Sequence, residues 1–226
     1  MTSEERHKAL REIARGLERI DVEVYDANGR DPLDPILGGG PADAPVAVIG
    51  RDPGRDEVKH GMPFIGAGGQ KVRRALHEVV HGAPLPSFEA SVAVGRHVFW
   101  ANTVPWKPIG NKAWSARVRK AVMPYINDML VHDWSGTHIM ALGRVAFFWF
   151  GQDRETKQRL NEHWAREDRF ETGIELLLTA PDGANRLVQL YAIPHPSPLN
   201  ATWAPHVPRL LRERFSQVGL PRHTIG

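Results

Sequence analysis

The sequence predicts an α/β fold in which a mostly parallel sheet is covered by helices on both faces. Three observations support this fold class. Short, wholly apolar segments recur along the chain, segments with helical spacing lie between them, and 42% of the 226 residues are apolar. Apolar strands that alternate with helices are typical of parallel sheets buried on both sides.

The strand and helix patterns follow in chain order. Apolar strands are predicted at 44–50 (APVAVIG), 96–104 (RHVFWANTV) and 137–143 (THIMALG). The segments 174–180 and 187–195 flank the turn PDGANR and fit either a hairpin or a strand and a loop. Residues 27–45, rich in Gly, Pro and Asp, predict an ordered connector. Helices are predicted over 3–20, 68–80 and 114–131, from about 145, and over 202–216.

Length and composition limit the classes of protein to which this chain can belong. The length predicts one domain spanning 1–226, with an N-terminal helix and connector at 1–43 and a core at 44–218. No run of eighteen apolar residues is present, so we expect no membrane span. The charged first twenty residues lack the apolar stretch of a signal peptide, which favours a cytoplasmic protein. We also expect a monomer.

Cysteine is absent. This excludes disulfides, thiolate zinc sites and cysteine-ligated iron–sulfur clusters, so we expect no metal and no cofactor. The net charge is +3 and the isoelectric point is about 9.4. Either solvated helix faces or a surface that meets phosphates would explain the basic clusters, which contain Arg117, Arg119, Lys120, Arg209, Arg212 and Arg214.

Four residues lie at or just beyond the carboxyl ends of predicted strands, namely Asp52, Asn102, Gly143 and His195. Ligands of parallel sheets bind beyond the carboxyl ends of the strands. The sequence therefore predicts a site at this edge, and three of the four residues bring polar side chains to it.

Two neighbouring loops carry the first candidate residues. In GRDPG (50–54), Pro53 favours an extended backbone at Asp52, although a turn or capping aspartate fits the same pattern. In GMPFIGAGG (61–69), Phe64 precedes Gly66 and Gly68, which would allow a sugar–phosphate to approach the backbone closely. A packed loop phenylalanine is the alternative.

Two later motifs add polar groups. The amide of Asn102, in FWANTVPW (99–106), offers one acceptor and two donors that can complement the edge of an amide-like ring, or it caps a loop. In HPSPLN (195–200), two prolines fix the backbone around His195 and Ser197, although a proline-rich connector is possible.

A further stretch, HEVVH (77–81), matches the zinc-hydrolase pattern in which two histidines share a helix face beside a glutamate. The pattern is short, and Gly82, Ala83 and Pro84 follow it at once. We therefore regard a zinc site as the weaker interpretation.

The order GRDPG, GMPFIGAGG, ANTV and HPSPL resembles the uracil-DNA glycosylase superfamily over residues 44–215. Family 4 is similar in overall pattern to two longer stretches, GRDPGRDEVKHGMPFIGAGG and THIMALGRVA. Family 1 is similar to three shorter motifs, GRDPG, NTV and HPSPL. The resemblance implies a three-layer α/β/α sandwich with a central, mostly parallel four-stranded sheet. Family 4 has iron–sulfur cysteines, but here they are missing, and Trp106 stands where that family has one of them. Gly54 replaces the tyrosine with which family 1 excludes thymine, and the loop that lets one relative trap DNA covalently is not found.

The resemblance also implies roles for the candidate residues. Asp52 is expected to stabilise a sugar cation and position water, and His195 is expected to donate to the departing base. Apart from the resemblance, Glu57 in the same loop is the second candidate for the water. Phe64 stacks on an extruded uracil in DNA, single- or double-stranded, and Asn102 reads its edge beside Gly50, Arg51 and Gly54. The expected DNA contacts are Gly66, Gly68, Ser197 with a phosphate, Leu199 in the gap left in the duplex, and Arg209.

Three alternatives to uracil excision stay open. The same fold can act on another deaminated base such as hypoxanthine or xanthine, because Gly54 leaves room there. A lesion-binding protein without catalysis is the second alternative, and the zinc hydrolase of HEVVH is the third.

Overall fold

The structure of the protein is a computed structural model that describes residues 1–197, 200 and 202–220. Over these residues the strands form one sheet in the order β1-β3-β2-β4-β6-β5. The strands are β1 (Gly38–Gly39), β2 (Val46–Gly50), β3 (Phe99–Asn102), β4 (His138–Leu142), β5 (Gly173–Thr179) and β6 (Asn185–Ile193).

The four central strands, β3, β2, β4 and β6, are parallel to one another. The short β1 and the longer β5 are antiparallel to their neighbours at the two edges of the sheet. The expected parallel core is therefore confirmed, but the number of strands was wrong, because the described sheet has six strands rather than four. The segments around PDGANR form the hairpin β5–β6, and Gly38 and Gly39 in the connector supply the other edge strand.

Helices surround the sheet, and those with a strong apolar stripe lie close to their predicted positions. The first helix begins at a capping box of Thr2 and Glu5 and ends before Gly16, short of the predicted residue 20. The described helices are α1 (Ser3–Arg15), α2 (Val22–Asp26), α3 (Arg55–His60), α4 (Ala67–His81), α5 (Phe88–Val94), α6 (Ala116–His132), α7 (Arg144–Trp149), α8 (Arg154–Ala165) and α9 (Val207–Gln217).

Four of these helices were not predicted, namely α2, α3, α5 and α8. The first three are short, and they contain too few turns for a helical period to be recognised. Helix α8 has twelve residues, of which only Leu160 and His163 are buried, so its apolar stripe is too weak to identify.

The alternating residues of the central strands build two cores, one on each face of the sheet. In β2, Ala47 and Ile49 pack in the core covered by α1, α6, α7 and α8. Val46 and Val48 face the other core, which is covered by α4, α5 and α9. The fold is thus a three-layer α/β/α sandwich, and the site predicted at the carboxyl ends of the strands lies between the helical layers. No helix in the described ranges is both long enough and apolar enough to cross a bilayer.

A buried ion pair joins α1 to α6 on the first of these faces. Arg6, 2% exposed, donates from Nε and Nη2 to Oδ2 of Asp128, at 3.2 and 2.8 Å. Its Nη1 and Nη2 also donate to the two carboxylate oxygens of Asp133. The guanidinium therefore has a carboxylate partner on two sides, which offsets the cost of burying its charge.

Candidate active site

A cleft of about 740 Å³ opens at the carboxyl edge of the parallel strands. It is lined by residues 50–57, by Phe64 and residues 66–69, by Asn102, and by residues 195–197. The fold therefore brings together residues that are up to 150 positions apart in sequence, since Gly50 and Asn200 both line the cleft. Such a cleft, apolar in part and with a few convergent polar groups, is the usual form of a small-molecule or base site.

Asp52 lies in the loop that follows β2, and its carboxylate is 6% exposed. The Arg51 Nε donates to Asp52 Oδ2 at 2.8 Å, and in the described part of the chain this is the only hydrogen bond to the carboxylate. Burial raises the pKa of Asp52 above its usual value, while the charges of Arg51 and Lys107 act in the opposite direction. The carboxylate is thus desolvated and keeps one oxygen for a ligand.

His195 follows β6 and faces the same cleft. Its Nδ1 accepts a hydrogen bond from the backbone N–H of Ser197 at 3.2 Å, so the neutral ring carries its proton on Nε2. Although His195 borders open solvent, partial burial of the ring and the positive charge of Arg51 lower its pKa. At neutral pH the residue is therefore a neutral donor.

Gly143, the fourth residue at the strand ends, supports the histidine ring. A Cβ at this position would lie 3.0 Å from His195 Cβ and 3.2 Å from its Cδ2, and the backbone has a φ of 85° that favours glycine. Its role is thus to let the imidazole rest against the end of β4.

Asn102 ends β3 and is 3% exposed. Its side chain makes no hydrogen bond with other residues in the described ranges, so the amide is available to a ligand. Gly50 is the parallel partner of Asn102 in β2, and a Cβ there would lie 2.6 Å from Asn102 Oδ1 and 2.7 Å from Phe64 Cζ. The glycine therefore lets the amide and the aromatic ring meet at the floor of the cleft.

Phe64 has a positive φ of 57°, in the left-handed region. A non-glycine residue in this region costs about 1–3 kcal/mol, and such strain is concentrated at functional sites. The ring is 9% exposed and packs against Trp100, with their centroids 5.0 Å apart. One side of the ring is thus supported by tryptophan.

Glu57 connects the two glycine-rich loops of the cleft. Its Oε2 accepts from the N–H of Gly54 at 2.9 Å, and its Oε1 accepts from the N–H groups of Ile65 and Gly66 at 3.0 and 2.7 Å. A Cβ at position 54 would lie 2.7 Å from Oε2, so the glycine is required by the carboxylate beside it. With three backbone donors, Glu57 holds the loops, and water activation by it stays a secondary prediction.

Arg51 connects the Asp52 loop to the opposite wall of the cleft. Its Nη2 donates to the carbonyl oxygen of Asn111 at 2.7 Å. Asn111 has a φ of 53°, so the two non-glycine residues with positive φ in the described chain, Phe64 and Asn111, both line the cleft. Sequence reasoning missed Asn111, and its only signal was the preceding Gly110.

Some of the residues predicted to contact DNA lie at the cleft, and others do not. Gly66, Gly68 and Ser197 line the cleft. Arg209 lies away from it on α9, where it bonds Glu213 at 2.8 Å, so its DNA-binding role stays a prediction. Leu199 falls outside the described residues.

The HEVVH stretch occupies the last turns of α4, away from the cleft. Glu78 pairs with Arg212 at 3.0 Å, and Nδ1 of His77 lies 3.0 Å from the carbonyl oxygen of Ala83. No group of three or more metal-ligating side chains is found among the described residues. These contacts give the zinc-hydrolase interpretation no support.

Sequence reasoning also missed Arg73, which is 2% exposed and donates to carbonyl oxygens of the Phe64 loop. The signal was present in the sequence, since Arg73 lies on the same helical stripe as Gly69, Leu76 and Val80, all of them buried. An arginine in a buried apolar stripe indicates a specific polar partner.

Together the fold and the cleft define a class of protein. The cleft holds a buried amide next to an aromatic ring, with a desolvated carboxylate and a neutral imidazole at its rim, and this arrangement suits a planar base attached to a sugar. A family model, described as the uracil DNA glycosylase superfamily, matches residues 37–219. The chain belongs to this superfamily, which assigns it a DNA glycosylase type of function and implies DNA binding. A search of curated proteins gave no match.

Proposed function

We propose that the protein removes uracil from DNA by hydrolysing the N-glycosidic bond, which leaves an abasic site. One observation carries the proposal: Asp52, Phe64, Asn102 and His195 line a single cleft at the edge of the sheet. A base inside a duplex cannot be reached there, so the nucleotide is extruded at a cost of about a few kcal/mol.

The floor of the cleft recognises the base. Phe64 stacks on the extruded uracil, and stacking of a base on an aromatic side chain contributes about 1–3 kcal/mol. The Asn102 Oδ1 accepts from uracil N3–H while its Nδ2 donates to O4. Cytosine presents the opposite polarity at both positions, and binding it leaves buried groups unpaired, which is strongly unfavourable.

The rim of the cleft carries out the reaction. As the C1′–N1 bond breaks, its electron pair leaves with the base and positive charge grows on the sugar. The buried Asp52 carboxylate stabilises that cation and holds the water that forms the new C1′–O bond, and the water proton is released to solvent. His195 donates from Nε2 to uracil O2, where negative charge develops. Donors aimed at developing charge are usually the largest contribution to catalysis.

A second substrate class is supported by the loop at Gly54. Position 54 is a glycine, so no side chain extends from it into the cleft, and the Glu57 carboxylate lies beside its backbone. A tyrosine that fills this space in similar enzymes is thus absent, and the cleft of about 740 Å³ has room for a purine such as hypoxanthine or xanthine.

The test is an excision assay with the purified protein on labelled oligonucleotides, both single-stranded and duplex. The oligonucleotides carry uracil, hypoxanthine, xanthine or thymine opposite guanine. We expect cleavage at uracil after alkali treatment of the abasic product. Binding without excision of any of the four bases would favour a lesion-binding protein and would overturn the proposal.

A further inference from the structure

Two buried, oppositely charged side chains form hydrogen bonds with the peptide unit that follows Phe64. The Arg73 Nε donates to the carbonyl oxygen of Phe64 at 2.7 Å, and the Glu57 Oε1 accepts from the N–H of Ile65 at 3.0 Å. The carbonyl and the N–H belong to the same peptide unit. That peptide therefore bridges a guanidinium and a carboxylate, and its dipole is aligned by both charges.

The same two side chains also form hydrogen bonds with the peptide units before and after this one. Arg73 Nη2 donates to the carbonyl oxygen of Pro63 at 3.1 Å, and Glu57 Oε1 also accepts from the N–H of Gly66 at 2.7 Å. We define the Arg73 guanidinium, the Glu57 carboxylate and the peptide units between Pro63 and Gly66 as the Phe64 clamp. The clamp spans the one bulky residue of this loop that has a left-handed backbone.

Arg73 is also in contact with the ring that supports Phe64. Its guanidinium carbon lies 4.6 Å from the centroid of Trp100, and Trp100 packs against the Phe64 ring. The third donor, Nη1, bonds the carbonyl oxygen of Ser91 at 2.8 Å, which ties the group to α5. The Arg73 guanidinium thus bonds the backbone of Phe64 and also contacts Trp100, the residue that supports the Phe64 ring.

Two glycines leave space for the Arg73 guanidinium and for the loop to which it donates. A Cβ at Gly95 would lie 2.1 Å from Arg73 Nη1, and a Cβ at Gly69 would lie 2.2 Å from the carbonyl group of Phe64. Arg73 makes no direct ion pair in the described ranges, and burial lowers its pKa to about 10, so it stays charged at neutral pH. A buried charge without a direct partner is costly, and packing alone does not require it.

We propose that Arg73 is a positioning residue for base recognition, which acts by holding Phe64 in its left-handed conformation so that the ring forms the stacking surface of the cleft. This inference rests on the proposed function for its kinetic consequence. It predicts that Arg73 matters for excision only through Phe64.

The test is a double-mutant cycle in single-turnover uracil excision by the full-length protein. Phe64→Ala removes the stacking surface and is expected to slow excision about 5- to 150-fold. Arg73→Met is expected to slow it by no more than that, and to change the rate less than about twofold in the Phe64→Ala background. Equal losses in both backgrounds, or an unchanged rate in Arg73→Met alone, would overturn the proposal.

A matched control is available in Arg214, which is also buried, lies 4.0 Å from the centroid of Tyr191 and donates to backbone carbonyl oxygens. Arg214→Met is expected to lower thermal stability while the excision rate at permissive temperature stays within about twofold. If it slows excision as much as Arg73→Met does, the effect is general to buried arginines and the proposal fails. Should Arg73→Met not fold, Arg73→Lys takes its place in the cycle, since lysine keeps the charge but cannot hold three carbonyl groups in fixed geometry.

A spectroscopic measurement separates this inference from the proposed function. The protein is labelled with 4-fluorophenylalanine, and the fluorine resonance of Phe64 is identified by its loss in Phe64→Leu. We expect Arg73→Lys and Arg73→Met to shift or broaden that resonance and Arg214→Met to leave it in place. If the wild type excises no base, the proposed function fails while this arm still tests the clamp. A Phe64 resonance that stays unchanged in both Arg73 variants would overturn the clamp.

Discussion

Two arginine–aspartate pairs in this protein have the same chemistry and different surroundings. The Arg6–Asp128 pair joins α1 to α6 and is buried on both sides, and its guanidinium is also bonded to Asp133. The Arg51–Asp52 pair makes a single hydrogen bond at the rim of the cleft, and one carboxylate oxygen stays available. The first pair is therefore fully engaged within the fold, whereas the second leaves a carboxylate oxygen at the cleft, where we propose that it serves a ligand.

The largest expected effect is on the structural pair. Arg6→Met removes the guanidinium from two carboxylates, and the buried one, Asp128, keeps the N-terminal amine and the His132 ring at 3.5 and 3.9 Å. Loss of one partner of a buried pair typically costs about 3–5 kcal/mol. We expect the free energy of unfolding, measured in urea, to fall by that amount. The excision rate below the transition should stay close to that of the wild type. A large loss of rate in the folded variant would break the distinction between the two pairs.

The second effect is on the rim of the cleft. Asp52→Asn keeps the shape and removes the charge, and His195→Ala removes the donor, so each is expected to slow single-turnover excision roughly a hundred- to a thousandfold, about 2.7–4 kcal/mol. The affinity for DNA should change little, because phosphate contacts supply most of it. The two losses need not add, since both groups act on one transition state.

A binding titration beside the kinetics serves as the control for these variants. Near-normal excision by Asp52→Asn would mean that the aspartate is structural. Glu57→Gln would then be the next variant to measure, although its three backbone hydrogen bonds predict a loss of stability as well.

The pH dependence of stability should distinguish the same two groups. Burial raises the pKa of Asp52 above 3.8, so the folded state binds more protons than the unfolded state as this group titrates, and stability falls as the pH rises through that window. Asp52→Asn should therefore be more stable than the wild type at neutral pH, with the difference lost below about pH 3.8. Denaturant titrations across pH 3–8 measure it, and a difference independent of pH would contradict it.

The pKa of His195 is shifted in the opposite direction from that of Asp52. Its pKa is lowered from 6.5, so the folded state binds fewer protons and the contribution of this group to stability falls as the pH drops below 6.5. The excision rate should rise with pH for both groups, because neutral His195 and ionised Asp52 are the active forms, and for Asp52 this direction is opposite to its effect on stability. We expect the Asp52 part of the acid limb to disappear in Asp52→Asn, although the residual rate is low. An acid limb that is identical in this variant would assign the titration to another group.

The smallest effect is expected at the zinc-like motif. Glu78 is partly exposed and its pair with Arg212 lies at the surface, where such pairs contribute about 0–1 kcal/mol. Glu78→Ala should change stability by no more than this and leave excision within about twofold, and a chelator should leave excision unchanged. Loss of activity with chelator, restored by zinc, would revive the hydrolase interpretation.

The parallel core and the position of the candidate site could be predicted from the sequence. The apolar segments ending at Gly50, Asn102 and Leu142 are long enough and apolar enough to specify buried strands, and parallel pairing brings whatever follows them to one edge. Asp52, Asn102 and His195 were therefore placed by a rule that needs only the order of strands and helices along the chain.

The tertiary structure alone decided how the charged residues around the cleft are paired. Glu57 and Arg73 are sixteen positions apart on different helices, and nothing in their local sequence tells that they hold one peptide between them. HEVVH has a suggestive local pattern, yet α4 packs so that its glutamate meets Arg212 rather than a metal. The physical reason is that strand and helix formation depends on apolar periodicity within a segment, whereas the partner of a buried charge depends on which segments the packed cores bring within hydrogen-bond distance.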